Sequence, residues 1–136
     1  MDNLTPEQRR KTMQRVRAAD TAPELRVRRL LFGLGYRYRL HVKDLPGRPD
    51  IVFRGRRKVI FVHGCFWHRH AGCKDASMPA SKLAYWRPKF ERTVARDADA
   101  IAKLAGDGWK VLVIWTCEMR DETALGSRLQ SFLDER

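Results

Sequence analysis

The sequence predicts an α/β fold: a small mixed sheet flanked by helices. Three observations predict it. Segments of helical period alternate with short apolar segments along the chain, the pattern of helices packed on a sheet. Two apolar runs, Asp50-Ile51-Val52-Phe53 and Val59-Ile60-Phe61-Val62, are joined by a short basic turn at residues 54–58 and read as a hairpin of strands. A third run, Trp109-Lys110-Val111-Leu112-Val113-Ile114-Trp115, follows a long helical segment and supplies another buried strand. At 136 residues and 43% hydrophobic, the chain fits one domain spanning residues 1–136. A domain of that size buries roughly two-thirds of its unfolded surface.

From the N-terminus, Thr5-Pro6-Glu7-Gln8 reads as a helix cap, an N1 proline and a capping-box partner. It opens a short basic helix over about residues 5–18, a candidate DNA-contacting arm. Thr21-Ala22-Pro23-Glu24 repeats the box. The helix it opens turns Leu25, Val27, Leu30 and Leu31 toward a core and stops near Gly33 or Gly35. Tyr36-Arg37-Tyr38-Arg39-Leu40 alternates with period two, as a half-buried strand does. Leu45-Pro46-Gly47-Arg48-Pro49 is a turn. After the hairpin comes a Cys/His/Trp-rich loop over about residues 63–78, then a long helix beginning near Ser81. Pro88 is expected to mark a kink or boundary there, and Phe90, Val94, Ile101 and Leu104 to face the core. A last helix covers about residues 122–133.

Charge narrows the partner. Twenty-eight Lys and Arg against sixteen Asp and Glu give +12. A basic surface can serve solubility or membrane adhesion, but a pI near 10.4 lies above the threshold of about 9 that marks nucleic-acid binders. Arginine dominates the cations, which suits bidentate phosphate and guanine contacts. No apolar run approaches the roughly 20 residues of a membrane span, and the polar first residues lack a signal-peptide core, so a soluble, cytoplasmic protein is expected. Three cysteines cannot all pair internally, which argues against a disulfide framework.

Two constellations carry chemistry. In the first, Asp50 begins one strand of the hairpin and His63 ends the other. A carboxylate there can help hold Mg²⁺, which needs only one or two protein carboxylates when phosphate supplies the rest. Asp50 also reads as a plain turn residue after Pro49, and the capping box accounts for Glu24 without any site. In the second, Cys65, His70, Cys73 and Cys117 make a Cys₃His set, a recurrent structural zinc arrangement, whose plain alternative is buried thiols and solvated histidines. Phe66 and Trp67 lie in the same loop. They read as core packing or, in a basic protein, as a wedge into a base stack.

Leu45-Pro46-Gly47-Arg48-Pro49-Asp50, then Val59-Ile60-Phe61-Val62-His63-Gly64-Cys65-Phe66-Trp67-His68, Arg96-Asp97, Gly108-Trp109 and Trp115-Thr116-Cys117 together resemble the very-short-patch repair (Vsr) endonuclease family. The resemblance runs collinearly from about Thr12 to Leu133. It implies a restriction-endonuclease-like core and a bacterial enzyme that nicks duplex DNA 5′ to the T of a T·G mismatch left by deaminated 5-methylcytosine. It implies that Asp50 ligates Mg²⁺ with the backbone carbonyl of Val62. His63 would stand where such nucleases usually carry a lysine, and His68 would be general base or water-orienting group. Glu24 and Asp97 would hold waters at the metal or orient His68, which reverses the local reading of Glu24.

By the same resemblance, Cys65, His70, Cys73 and Cys117 match the structural zinc ligands. Phe66, Trp67 and Trp86 match aromatics that enter DNA from the major groove, and Met13 a residue inserted from the minor groove. Val62 stands where better-known members have Thr, Thr12 and Thr93 where Asn is expected, and the His70–Cys73 spacing is one residue longer. A nick in one strand needs one active site, so a monomer is expected, with mismatch-repair proteins as possible partners. Two other readings stay open: a zinc-stapled DNA-binding module without catalysis, and a nuclease of the same fold with another DNA target. Asp50 with Glu24, His63, His68 and Asp97 is the set a pure binder does not need.

Overall fold

The computed structural model describes residues 21–135. The expected basic helix near residues 5–18, with Thr12 and Met13, lies outside the described residues. The element order is α1 (Ala22–Gly33), β1 (Arg39–Leu40), β2 (Ile51–Phe53), β3 (Lys58–His63), α2 (Leu83–Gly106), β4 (Lys110–Trp115) and α3 (Glu122–Asp134), with short 3₁₀ turns at Lys74–Ala76 and Thr116–Met119. The sheet is mixed, in the order β1-β2-β3-β4. β1, β2 and β3 run antiparallel in succession, and β4 returns parallel to β3 after the crossover through α2.

Strand alternation divides the core in two. Ile51, Phe53, Ile60 and Ile114 face Val27 and Leu31 of α1 and Leu125, Leu129 and Leu133 of α3. Val52, Val59 and Phe61 point the other way, onto Leu104 of α2 and Trp109. The sheet is thus covered on both faces, which explains why its central strands read as continuous apolar runs. By the same alternation His63, two residues beyond Phe61, continues the α2 face, with its ring 5.5 Å from that of Phe61.

Several sequence expectations are corrected. Only Arg39 and Leu40 of the predicted first strand pair in the sheet. Its alternation is still real: Tyr36 and Tyr38 pack edge-on against Phe53 at 6.5 and 6.2 Å. Pro88 neither bounds nor divides its helix, which continues through it. Pro88 and Ala84 are both exposed, so the carbonyl that loses its donor lies on the solvent side. Val94 is 45% exposed instead of facing the core, because the contact with the sheet is made by Ile101 and Leu104 in the second half of α2.

Two local devices hold the frame. Lys58 is buried and donates from Nζ to the carbonyls of Phe132, Leu133 (3.0 Å) and Glu135, closing the C-terminus of α3, where a cation is favoured. Gly47 has φ +74°, and a Cβ there would stand 2.6 Å from Cβ of Ala100. Only glycine lets the turn before Asp50 press so closely on α2.

Candidate active site

That turn delivers Asp50 to the sheet end beside β3. The backbone N–H of Val62 donates to Asp50 Oδ2 at 2.7 Å, which fixes the carboxylate against the strand. Glu24 arrives from the other side, in the first turn of α1. Its N–H donates to the Thr21 hydroxyl at 3.4 Å, so the cap predicted from sequence is present and orients the residue inward. Glu24 is 4% exposed. Burial, followed by hydrogen bonding to Glu24, pushes the Asp50 carboxyl up to about 8; the Val62 N–H and Arg28 oppose this in part. Two carboxylates share a desolvated space, an arrangement that favours either a proton or a cation.

The sequence reading missed two neighbours of this pair. Arg28 donates from Nη2 to Glu24 Oε2 and, at 2.9 Å, contacts His41 Nε2. His41 Nε2 is also 3.3 Å from Glu24 Oε2. Ligand atoms of Glu24, His41 and Asp50 all lie within 4.8 Å of one another. The Glu24–Arg28 spacing of four residues was a legible signal for the ion pair. For His41, following a period-two segment and belonging to no motif, the sequence carried none.

A second cluster begins at the residue after Val62. Ligand atoms of His63, His68 and Asp97 also lie within 4.8 Å of one another. His68 Nδ1 is 2.6 Å from Asp97 Oδ2, which comes from α2. The His63 and His68 rings stack at 3.8 Å with 4° between their planes. Burial and then the neighbouring His68 push His63 down to about 4, so it is neutral at physiological pH. Its Nδ1 is buried with no hydrogen-bond partner among the described residues. The expected lysine substitute therefore carries no fixed charge in this state; what it offers is a hydrogen bond.

The third cluster is the Cys₃His set. Ligand atoms of Cys65, His70, Cys73 and Cys117 lie within 4.8 Å of one another. His70 Nδ1 is 3.6 Å from Cys65 Sγ and 3.4 Å from Cys117 Sγ. A tetrahedral zinc with Zn–S of about 2.3 Å and Zn–N of about 2.0 Å sets that edge near 3.5 Å. Burial pushes the Cys65 thiol up, but hydrogen bonds from Thr116, Cys117 and His70 outweigh it and bring the group down to about 7. The donor set and its spacing fit zinc. Trp115 stacks on the His70 ring at 4.2 Å and meets His63 edge-on at 5.2 Å, so one indole touches both this cluster and the histidine pair.

Phe66, Trp67 and Trp86 converge with Phe90. Centroid separations run from 5.2 Å for Phe66–Phe90 to 6.4 Å for Trp67–Phe90. Trp67 is only 8% exposed. Arg69 lies 4.2 Å above the Phe90 ring and donates to the Phe66 carbonyl at 3.1 Å, pinning the loop to α2. Met13 lies outside the described residues.

The sequence profile of the family described as DNA mismatch endonuclease Vsr matches residues 1–75. A Type II nicking enzyme of Xanthomonas oryzae pv. oryzae, V.XorIIP, is 56% identical over 98% of this chain and 97% of its own length. The DNA mismatch endonuclease Vsr of Escherichia coli is 40% identical over 92% of this chain and 83% of its own. Among solved structures, the catalytic domain of the homing endonuclease I-Bth0305I superposes with a TM-score of 0.57 at 20% identity, over 83% of this chain and 94% of that one. At that identity the likeness is one of fold.

Proposed function

The chain belongs to the Vsr DNA mismatch endonuclease family, and from that premise we propose that it nicks one strand of duplex DNA, 5′ to the T of a T·G mismatch, with Mg²⁺ at Asp50. That it is a DNA endonuclease follows from the family. The observation that supports metal-dependent cleavage is the meeting of two desolvated carboxylates and a histidine–aspartate pair at Val62 and His63 on one strand end. A pure DNA-binding module would gain only destabilisation from burying them together. The core would be of the restriction-endonuclease type. A net charge of +12 supports a polyanionic substrate. Among the described residues no helix is long and apolar enough to cross a membrane.

In this reading Asp50 and Glu24 hold the cation. The Val62 carbonyl can join them, because a strand residue directs its N–H and C=O to the same edge, and the Val62 N–H already points at Asp50. A side chain at position 62 is then immaterial, which accounts for Val serving there. When bound, the cation supplies Lewis-acid stabilisation of charge developing on the scissile phosphate. Asp97 keeps the His68 proton on Nδ1 and leaves Nε2 as the base. His68 Nε2 takes a proton of the attacking water as the water oxygen bonds to phosphorus; one P–O ester bond breaks, and the leaving sugar oxygen takes its proton from solvent water. His63, held neutral, donates a hydrogen bond to a phosphate oxygen. The Cys₃His set carries structural zinc, and the aromatic cluster with Met13 distorts the duplex at the mismatch. One nick needs one copy of this site, so the protein acts as a monomer.

The test is a nicking assay on end-labelled duplexes that differ only by T·G or C·G, with and without Mg²⁺. Cleavage confined to the T strand beside the mismatch supports the reading. Binding without cleavage in every flanking context would favour the recognition module, and cleavage of matched duplex a different DNA target. His68→Ala is expected to slow single-turnover cleavage by at least about 10²-fold, the low end for general acid–base catalysis; an unchanged rate removes His68 from proton transfer. Trp67→Ala is expected to lower the mismatch-to-matched cleavage ratio, whereas Trp67→Phe preserves it. Because the alanine change costs about 3–5 kcal/mol of packing, the ratio is read at a temperature where both variants are folded. Equal loss on both duplexes would contradict the wedge.

A further inference from the structure

His41 belongs to none of the motifs that define the catalytic or zinc sites, yet its side chain enters the carboxylate pair. Its position is set by strand register. Arg39 pairs with Val52 and Leu40 with Ile51, so the next residue of β1 runs opposite Asp50. There the chain leaves the strand with φ +49° at His41, a left-handed conformation that histidine tolerates better than most residues. Such backbone persists where the surroundings hold it, and it is frequent at ligand sites.

The ring shares a neighbour with Glu24. Arg28 Nη2 lies 2.9 Å from His41 Nε2. The contact of His41 Nε2 to Glu24 Oε2 is longer, at 3.3 Å. Arg28 Nη2 thus touches one oxygen of Glu24 and the ring nitrogen of His41 together. It stands where a cation shared by the two ligands would stand.

We infer that His41 Nε2 is a third side-chain ligand of the catalytic cation, beside Asp50 and Glu24, and that the Arg28 guanidinium holds this ligand set in the cation-free protein, moving aside when the ion enters. The inference rests on the proposed cation site at Asp50 and adds to it a nitrogen donor and an internal competitor. Imidazole is a poor partner for Mg²⁺, which favours oxygen, and a somewhat better one for Mn²⁺, although Mn²⁺ is the weakest-binding of the first-row transition ions. The site then discriminates between Mn²⁺ and Mg²⁺ through His41. Arg28 makes entry of either ion weaker than the ligands alone would allow.

The experiment uses Mn²⁺ as probe on the zinc-loaded, DNA-free protein, followed by electron paramagnetic resonance. Bound Mn²⁺ is expected to show ¹⁴N coupling that disappears in His41→Gln and survives in His68→Gln. Losing even an outer partner of a ligand weakens a metal by about 10–100-fold, so His41→Gln is expected to weaken Mn²⁺ at least tenfold, and Mg²⁺, measured by competition, by much less. Arg28→Met is expected to tighten both ions. Mn²⁺ that binds in an Asp50-dependent way, but without ¹⁴N coupling or with coupling unchanged in His41→Gln, overturns the role of His41 and leaves the cation site standing. Binding unaffected by Asp50→Asn overturns the site and the inference with it.

Discussion

Asp50→Ala is expected to abolish strand cleavage, by at least about 10³-fold, while affinity for duplex DNA stays near wild type. The magnitude follows from losing several kcal/mol of cation stabilisation in the transition state, at about 1.4 kcal/mol per tenfold. Duplex affinity survives because it comes from the basic surface, of which Asp50 is no part. Retained Mg²⁺-dependent cleavage in Asp50→Ala would take Asp50 out of the site. Asp50→Asn sharpens the case through stability. The Asp50 carboxyl is pushed from 3.8 up to about 8 by burial and by Glu24. Between those values the folded chain holds a proton that the unfolded chain releases. The cation-free protein therefore loses stability as pH rises through that window, with a ceiling on the order of 6 kcal/mol. Asparagine keeps an acceptor for the Val62 N–H and removes the charge. Asp50→Asn is thus expected to melt higher than the wild type at pH 8 without divalent ions, and to differ little at pH 4. A lower melting temperature at pH 8 would mean that the carboxylate serves the fold and not a cation.

Removing zinc is expected to have the larger effect on the fold. Structural zinc contributes about 10–16 kcal/mol in small domains, as much as the whole stability of a typical one, about 5–15 kcal/mol. Here the Cys₃His set ties the loop after β3 to Cys117 after β4. That loop also carries His68 and, of the aromatic cluster, Phe66 and Trp67. Cys65→Ser, or stripping with a chelator, is expected to lower the melting temperature by well over about 10 °C, given about 2–8 °C per kcal/mol across domains of about 60–250 residues. Cleavage should fall with it, since His68 loses its support. Elemental analysis should give one zinc per folded chain. A folded, active preparation without zinc would sink the assignment.

Periodicity made most of the fold legible. The α1, α2 and α3 helices and the hairpin of β2 and β3 are each where hydrophobic spacing and caps put them, within a few residues. The β4 strand is also in place, but as a half-buried edge strand instead of the buried one its apolar run predicts. The reason is local: burial of one face imposes period 3.6 on a helix, and burial of both faces makes a strand apolar throughout. Pairing in β1 was over-read, because alternation in Tyr36–Leu40 reports which side faces Phe53 and says nothing of whether a neighbour supplies hydrogen bonds. Val94 was over-read in the same manner, since helical spacing continues past the point where the sheet ends.

The cysteines, histidines and carboxylates were each visible as single residues, and the resemblance ordered them into roles. Their groupings came from contacts between residues far apart in sequence. Asp97 meets His68 across 29 residues, and Cys117 meets His70 across 47. His41 meets Glu24 because β1 is in register with β2 and because α1 packs beside that strand end. What the sequence by itself determined was the set of elements, the charge and the inventory of reactive side chains, all of which follow from local pattern and composition. What only the tertiary structure decided was which of those side chains share a desolvated space. That depends on strand register and on the angle at which helices cross the sheet, neither of which leaves a period in the chain.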